Sequence, residues 1–313
     1  MIKIAVVGTG LIGMQHLRAM EHTDACQLCA LCDVNEEKVK ELATQYQVPY
    51  FTDYHDMPGQ VEADAVILNL PHYLHCESTV FFLEHGMHVL VEKPMANTVE
   101  ECERMIAAAE KSGKKLAVGH VQRYFRVNSW LKKAVEEERF GKLCMITGKR
   151  SINYFAESRP GWFLKKNAAG GGIGMNYGAH ALDTLFYITG ERKAEIISGY
   201  GNLKTDHDIE GHMQYMLKFP SGLSMCQTLS GYNESGHEVV YYFTDGVLKV
   251  EDAARLYQYV DSRWVQIAIE EDELIMERQM ADFCRFLEGK PSMICDAQCG
   301  RDVIAALENV YKI

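Results

Sequence analysis

The glycine pattern near the N-terminus restricts the possible folds more than any other feature of this sequence. An apolar run, Ile2–Val7, leads into the turn Gly8-Thr9-Gly10-Leu11-Ile12-Gly13, and a helical pattern follows. In such a turn the first glycine permits a tight bend, the second leaves room for a pyrophosphate, and the third lets helix and strand pack closely. The helix N-terminus offers free N–H groups to the phosphates. The pattern predicts a dinucleotide-binding site; the alternative is a glycine turn without a ligand.

An acidic residue after the second predicted strand bears on the choice of dinucleotide. Asp33 follows the apolar run Leu28–Cys32 and lies twenty residues after Gly13, where a carboxylate can bind the ribose hydroxyls. The same carboxylate repels a 2′-phosphate, so we expect NAD as the cofactor in preference to NADP. The nearest cation, Lys38, either makes NADP possible or is a solvated lysine of the following helix.

Composition and charge exclude several classes of protein. The chain has 313 residues and a net charge of −11 without a basic stripe, so we expect no nucleic-acid partner. No apolar run approaches the roughly 18 residues that cross a bilayer, and the N-terminus does not resemble a signal peptide, so we expect no membrane partner.

Ten cysteines without an export signal indicate reduced thiols in a cytoplasmic protein. The run of Cys26, Cys29 and Cys32 resembles a metal motif, but a three-residue step along a strand changes face, so no metal site is expected.

Residues 1–121 alternate apolar runs with helical patterns, which predicts an α/β domain with a doubly wound parallel Rossmann sheet. The predicted strands are Ile2–Val7, Leu28–Cys32, Ala65–Leu70, His88–Val91 and Leu116–Val118, and the predicted helices are Leu11–His22, Glu36–Tyr46, Thr79–His85 and Val99–Lys111. We expect this domain to bind the dinucleotide.

Residues 122–313 have a pattern typical of an α+β domain with an open, largely antiparallel sheet. The predicted helices are Trp130–Glu138, Glu273–Leu287 and about 297–313, and the predicted strands are Leu143–Tyr154, Ile196–Tyr200, Met213–Phe219, Leu223–Leu229, Val239–Phe243 and Trp264–Ile269. We expect this domain to bind substrate and to mediate oligomerisation, with the last helix packing back on the first domain.

Four motifs now add up to a family resemblance. They are Asn69-Leu70-Pro71-His72-Tyr73-Leu74-His75, Glu92-Lys93-Pro94, Gly119-His120-Val121-Gln122-Arg123-Tyr124 and, after Trp162 and Gly170-Gly171-Gly172, Asn176-Tyr177-Gly178-Ala179-His180-Ala181-Leu182-Asp183. In this order the motifs resemble the Gfo/Idh/MocA oxidoreductases, which include glucose–fructose oxidoreductase and inositol dehydrogenases. The resemblance covers essentially the whole chain. It implies NAD(P)-dependent oxidation or reduction at a carbinol carbon of a sugar, polyol, inositol or related small molecule, and a homodimer or homotetramer formed through the C-terminal sheet.

The resemblance also implies which residues hold the cofactor and the substrate. The candidate cofactor-binding residues are Gly8, Thr9, Gly10, Leu11, Ile12, Gly13, Asp33, Asn69, Pro71, His72, His75, Glu92 and Lys93, of which His75 is interpreted as mainly structural. The candidate substrate-binding residues are Lys93, His120, Arg123, Trp162, Asn176, His180 and Asp183.

Lys93, His180 and Asn176 are the candidate catalytic residues. Lys93 lies at the carboxyl end of a predicted parallel strand, where its ammonium would hydrogen-bond to the reacting oxygen. His180 titrates near neutral pH and would act as general base or acid. The alternatives are a surface lysine held by the turn at Pro94 and a structural histidine. The prediction requires the amine and the imidazole to meet at the same nicotinamide carbon.

Asn176 departs from the family, since many members have Asp four residues before this histidine. The spacing of Asn176, His180 and Asp183 is i, i+4, i+7, which predicts one shared helix face, and the glycines before them are expected to leave room for a substrate. An amide can orient the imidazole but cannot carry a negative charge. Three interpretations stay open: His180 and Lys93 act with water, the substrate is not a simple polyol, or dehydrogenase activity has been lost.

The remaining candidates each have a structural alternative. Asp183 either binds a substrate hydroxyl or is a solvated helix acid, and Arg123 either contacts a ligand or pairs with Glu92. His120 and Trp162 either line the cleft or are structural. The segment 207–212 contains metal-ligand residue types, but an edge strand is the preferred interpretation.

Two functions other than a dehydrogenase are compatible with the sequence. One is a redox-assisted glycosidase, which keeps NAD bound and cleaves a glycosidic bond through transient oxidation. The other is a non-catalytic, nucleotide-responsive binding protein, which the amide at Asn176 suggests.

Overall fold

Two units make up the chain in the computed structural model, which describes residues 1–203, 206–233, 236–270 and 274–312. The first unit comprises residues 1–121 and 274–301, and the second comprises residues 122–273 and 302–313. Residues 274–301 are thus counted with the first unit, although they follow the second in sequence. The last predicted helix is divided between the units after Arg301.

A seven-stranded sheet forms the centre of the first unit. Its strands are β1 Ile2–Val7, β2 Cys26–Cys32, β3 Tyr50–Phe51, β4 Ala65–Leu68, β5 His88–Glu92, β6 Leu116–Gly119 and, late in the chain, β15 Cys295–Asp296. The order is β3-β2-β1-β4-β5-β6-β15, and only β15 runs antiparallel to its neighbour. The first six strands have the order of doubly wound dinucleotide-binding sheets, in which ligands bind where the order reverses.

Helices cover this sheet because its strands are apolar throughout. Every residue of β4 is fully buried, and so are Ile4, Ala5 and Val6 of β1, as expected for a parallel sheet covered on both faces. The helices of this unit are α1 Leu11–Glu21, α2 Glu36–Tyr46, α3 His75–Glu84, α4 Val99–Ser112 and α8 Ile275–Leu287. Helix α3 begins four residues before its predicted start, since buried polar residues in its first turns obscure the apolar pattern. The predicted start of α8, Glu273, lies outside the described residues.

An eight-stranded sheet forms the second unit. Its strands are β7 Leu143–Ser151, β8 Glu195–Leu203, β9 Glu210–Lys218, β10 Ser224–Ser230, β11 Gly236–Phe243, β12 Val247–Glu251, β13 Arg255–Val260 and β14 Arg263–Ile267. They lie in the order β14-β13-β12-β11-β7-β10-β9-β8, and only the β7–β10 pair is parallel. The predicted fold class, a parallel sheet followed by a largely antiparallel one, is confirmed.

The helices of the second unit cover one face of its sheet. They are α5 Arg126–Glu136, α6 Lys166–Ala169 and α7 Ala179–Thr189, and α9 Ala297–Tyr311 ends the chain. Strand β10 alternates in burial, so that Met225, Gln227 and Leu229 are buried while Cys226 is exposed.

Among the described residues, no helix combines the length and apolar character needed to cross a bilayer.

Candidate active site

The glycine turn after β1 is closed toward the protein and open on one side. Gly8 has a φ of 87°, and a Cβ there would lie 2.4 Å from the carbonyl oxygen of Asn69. A Cβ at Gly13 would lie 2.1 Å from the carbonyl oxygen of Gly8, whereas a Cβ at Gly10 would meet no atom within 4 Å. Side chains are therefore excluded at the first and third glycines by the backbone itself. The space above Gly10 stays open to a ligand.

The first turn of α1 faces that open space. Gly10 is the N-cap and contributes no side-chain hydrogen bond, and Leu11 is 79% exposed. The first backbone N–H groups of a helix have no partners within the helix, so an uncapped N-terminus favours an anion. The turn therefore has the chemistry that a pyrophosphate requires.

Asp33 places a negative charge beside this turn. Its carboxylate accepts hydrogen bonds from the Thr9 backbone N–H at 2.7 Å, the Thr9 hydroxyl at 2.8 Å and the Asn35 N–H at 2.9 Å. Partial burial raises the pKa of Asp33, but these hydrogen bonds outweigh it and hold the pKa below its usual value. Lys38 is half-buried, and its ammonium donates to the Thr9 carbonyl. The interpretation of Lys38 as a solvated lysine is therefore wrong.

His75 connects the loops that follow β4 and β5. Its Nδ1 lies 2.8 Å from the carbonyl oxygen of Pro94, and its Nε2 lies 2.8 Å from that of Leu70. The ring is fully buried, and the His72 ring centroid lies 5.6 Å away. These contacts fix both loops to one side chain, and the Lys93–Pro94 peptide between β5 and α4 is cis.

Glu92 is bound by the protein itself. Its Oε1 lies 3.0 Å from Nε2 of the buried His16, and its Oε2 accepts a hydrogen bond from the Lys93 backbone N–H at 3.2 Å. Burial raises the pKa of Glu92, but these contacts and the Lys93 charge hold the pKa below its usual value. Glu92 thus carries a buried charge that helps to position the start of the Lys93 loop. His16 is not among the predicted site residues, although its position one turn after Gly13, on the buried side of α1, is a signal in the sequence.

Arg123 and Asp183 form an ion pair inside the second unit. Arg123 Nε donates to Asp183 Oδ1 at 2.9 Å and to Oδ2 at 3.1 Å, and Arg123 Nη2 donates to Oδ1 at 2.6 Å. Asp183 is fully buried and Arg123 is 5% exposed. Asp183 is therefore not a solvated helix acid, and the acidic partner observed for Arg123 is Asp183.

The glycine-rich loop before α7 packs against β9 and α9. The Glu210 carboxylate accepts hydrogen bonds from the Gly172 and Gly174 N–H groups, each at 2.8 Å, and from the Tyr311 hydroxyl at 2.7 Å. Burial, and then the nearby Glu210 charge, raise the pKa of Tyr311. A Cβ at Gly171 or Gly174 would lie within 3 Å of Tyr311, and one at Gly172 would lie 2.1 Å from the Glu210 carbonyl oxygen.

Two predictions about this region are therefore wrong. The loop glycines make room for protein atoms and not for a substrate, because Glu210 and Tyr311 fill the space above them. The strand that begins at Glu210 is not an edge strand, because β9 lies between β10 and β8. The carboxylate that looked like a possible metal ligand binds backbone N–H groups instead.

His180 lines a cavity between α7 and the covered face of the second sheet. A π-helical turn, Gly174–Gly178, precedes α7, so the i, i+4, i+7 spacing does not follow a uniform α-helix here. The cavity is partly open to solvent and has about 40 Å³ of space for water-sized molecules. Its polar lining residues are Gln122, Asn128, Arg150, Tyr177, His180, Thr184, Gln227, His237 and Tyr241. Asn176 is buried in the π-helical turn, and Asp183 faces Arg123.

Family models match both units of this chain. Residues 2–120 match the model "Oxidoreductase family, NAD-binding Rossmann fold", and residues 129–249 match the GFO/IDH/MocA C-terminal domain. The chain belongs to the GFO/IDH/MocA oxidoreductase family. The predicted family and the NAD-binding character of the first unit are thereby confirmed.

The relatives that this chain resembles differ in their named reactions. The chain is 27% identical to 1-carboxy-3-chloro-3,4-dihydroxycyclohexa-1,5-diene dehydrogenase from Comamonas testosteroni, over 82% of this chain and 64% of that protein. It is 27% identical to 2,7-anhydro-N-acetylneuraminate hydratase from Escherichia coli K12, over 80% of this chain and 68% of the relative. It is 25% identical to D-glucoside 3-dehydrogenase, also from Escherichia coli K12, over 98% of this chain and 94% of that protein. The match thus spans less than two thirds of the Comamonas protein.

A solved structure shows the same fold over nearly the whole length. The aldose-aldose oxidoreductase from Caulobacter crescentus, complexed with glycerol, superposes with a TM-score of 0.90 at 22% identity, covering 99% of this chain and 96% of that one. At 22% identity, this similarity establishes the fold of the protein and nothing about its substrate.

The other predicted site residues of this family member lie in both units. Lys93 follows β5 and is half-buried, and His120 follows β6 and is buried. Trp162 lies in a short 3₁₀ turn of the second unit and stacks on Phe163 with ring centroids 3.8 Å apart. Arg150 and His237, which line the cavity with His180, were not predicted, because they lie on different strands and belong to no sequence motif.

Proposed function

We propose that this protein is an NAD-dependent oxidoreductase that transfers a hydride between the nicotinamide and a secondary alcohol or ketone of a sugar, polyol, inositol or related small molecule. The observation that carries the proposal is the glycine turn, closed by backbone at Gly8 and Gly13 and open at Gly10, with the Asp33 carboxylate beside it. Membership of the oxidoreductase family supports the same reaction class.

The residues present fit NAD better than NADP. The open space at Gly10 and the uncapped N-terminus of α1 would hold the pyrophosphate. Asp33 is anionic and would accept a hydrogen bond from a ribose hydroxyl, while it would repel a 2′-phosphate. Lys38 lies close by, but its ammonium is engaged with the Thr9 carbonyl. When bound, NAD supplies the hydride acceptor or donor.

Lys93 and His180 would handle the proton. The Lys93 ammonium would donate a hydrogen bond to the reacting oxygen and stabilise negative charge that develops there. His180 would remove the hydroxyl proton in oxidation and return it in reduction. Asn176 would contribute at most an orienting hydrogen bond, because an amide carries no charge.

The test is an assay of purified protein with NAD⁺ or NADP⁺ and a panel of polyols and sugars, following the absorbance of reduced nicotinamide. We expect turnover with NAD⁺, and losses of about 10²–10⁴-fold in Lys93→Met and His180→Asn. Lys193→Met, which removes an exposed lysine between α7 and β8, is the matched control. Turnover that persists in both site variants would contradict the assigned roles. Failure of the wild-type protein to bind NADH would contradict the function itself.

One relative is named a hydratase, and adding water involves no net oxidation or reduction. This favours a second candidate, in which NAD would stay bound and be regenerated in each cycle. A redox-assisted glycosidase of the kind suggested by the sequence would then consume substrate without accumulating NADH. Chromatographic analysis of products, run beside the absorbance assay with an aryl glycoside, separates the two. Net hydrolysis at constant NADH supports the second candidate, and stoichiometric NADH supports the first.

We further propose a cytoplasmic homodimer or homotetramer that assembles through the uncovered face of the second sheet. Met145, Met216 and Cys226 are exposed on neighbouring strands of this face, with Met216 paired to Cys226. None of the ten cysteines forms a disulfide, which supports a reducing compartment. Light scattering should show an oligomer that Met216→Asp dissociates; a monomeric wild-type protein would refute the assembly. Fractionation of cells tests the location.

A further inference from the structure

The cavity beside His180 contains a guanidinium without a counter-charge. Arg150 lies on β7, in the middle of the second sheet, and faces the same side as Ile146. Its guanidinium carbon lies 4.3 Å from the centroid of the Tyr177 ring. Its Nε is buried without a hydrogen-bond partner, and none of the described carboxylates forms an ion pair with it. Burial lowers the pKa of Arg150, yet a guanidinium remains charged under all ordinary conditions.

His237 lies next to Arg150 and does not neutralise it. The two residues pair directly across β7 and β11. Burial, and then the Arg150 charge, lower the pKa of His237 to about 4, so the ring is neutral near pH 7. The Asp252 carboxylate, which follows β12, raises the pKa of His237, but it also forms an ion pair with Arg255 at 2.5 Å. Tyr177 also faces Arg150, and Gln227, His180 and Tyr241 are further polar residues that line the same cavity.

An uncompensated cation in a partly buried cavity is costly unless a ligand supplies the opposite charge. The planar fork of a guanidinium matches the two oxygens of a carboxylate or phosphate. A neutral imidazole beside it offers one more N–H donor to the same anion. Because His180 lines this cavity too, an anion held here would belong to the molecule whose hydroxyl His180 deprotonates.

We propose that the substrate carries a carboxylate or phosphate group and that Arg150, with His237, binds this group in the cavity under α7. This proposal rests on the proposed function, since it takes the cavity ligand to be the substrate. It makes Arg150 and His237 specificity-determining residues, and it defines the substrate class as a hydroxy acid, a sugar acid or a sugar phosphate.

The experiment measures binding of two simple anions by isothermal titration calorimetry at constant ionic strength set with chloride. Glycolate represents a carboxylate next to a hydroxyl, and sulfate represents a phosphate whose charge does not change near neutral pH. We expect saturable binding of at least one anion to the wild-type protein, and binding roughly tenfold weaker or worse in Arg150→Gln. Lys193→Gln is the matched control, because it removes an exposed charge of the same unit, between α7 and β8, that does not line the cavity.

The pH dependence distinguishes binding from a structural role of these residues. An anion beside His237 raises its pKa from about 4, so affinity should increase as the pH falls from about 7 to 5, and His237→Gln should lose this dependence. The proposal is overturned if the wild-type protein binds neither anion, or if Arg150→Gln binds both as well as the wild type.

NADH titrations of the same samples keep the two proposals apart. Wild-type protein and Arg150→Gln should bind NADH equally, because Arg150 lies in the second unit and the glycine turn in the first. Normal NADH binding and turnover of neutral sugars without anion binding would refute only the anion site. Absent NADH binding would count against the oxidoreductase function.

Discussion

The buried pair of Arg123 and Asp183 gives the sharpest test of which residues serve the fold and which serve a ligand. Asp183→Asn preserves the shape of the side chain and removes its charge. The Asp183 carboxylate receives three donor contacts of 2.6–3.1 Å from Arg123, and it has no exposed surface through which water could replace it. Removing one partner of such a pair costs about 3–5 kcal/mol, so we expect the free energy of unfolding to fall by that amount.

Tryptophan fluorescence is the suitable probe for this loss. All three tryptophans, Trp130, Trp162 and Trp264, lie in the second unit with the ion pair, so a urea titration followed by fluorescence reports on that unit. Asp261→Asn, in an exposed turn, is the control and should leave the transition unchanged. The double variant Asp183→Asn with Arg123→Met removes both charges and should recover most of the stability.

One combination of results would refute this reasoning. If Asp183→Asn unfolded like the wild-type protein but lost turnover, Asp183 would act on the substrate, as the sequence alone allowed. If stability and turnover fell together and the double variant restored stability alone, Arg123 would have a function beyond the pair.

Three further predictions concern cofactor choice, loop position and pH. Asp33→Asn should weaken NADH binding by about 10- to 100-fold, because a charge-assisted hydrogen bond is lost. The ratio between the affinities for NADH and NADPH should also become smaller, and fluorescence titrations with the two nucleotides measure both affinities. Glu210→Gln should lower stability by about 1–3 kcal/mol and reduce kcat without changing NADH binding, because it disturbs the Gly172 and Gly174 N–H contacts. The pKa of His237 is about 4 in the folded protein, whereas a histidine of the unfolded chain has a pKa of about 6.5. As the pH falls below about 6.5, His237 therefore becomes protonated in the unfolded chain before it does so in the folded protein. Urea unfolding should therefore show about 2 kcal/mol of acid destabilisation between pH 8 and pH 5 that His237→Gln lacks.

Local sequence was enough to predict the cofactor end of the molecule. The run Ile2–Val7, the glycine turn and the helix from Leu11 are contiguous, and the structure gives the strand and the start of the helix with the same bounds. Apolar runs marked the other long parallel strands, because strands covered on both faces need no alternation. The two-residue strand β3 carries too little pattern to be recognised.

Contacts between residues distant in sequence could not be predicted in the same way. Glu210 reaches Gly172 across thirty-eight positions, and His16 reaches Glu92 across seventy-six. A histidine on the buried side of a helix or an acid at the start of a strand gives no local sign of its partner. The π-helical turn before His180 also has no recognised pattern, so the sequence-based helix face assigned to Asp183 took no account of it.

The two units differ in how freely their site residues can be exchanged. At the glycine turn, a side chain at Gly8 or Gly13 would collide with backbone atoms, so this part of the site is fixed by the course of the chain. The cavity is lined by alternate residues of β7, β10 and β11, whose side chains can be replaced while the strands stay paired. Gly148 is the exception, because a Cβ there would lie 2.1 Å from the Gln227 amide oxygen and would force that side chain to move. One fold can carry different reactions when the side chains of such a cavity differ, and here the cavity holds Arg150.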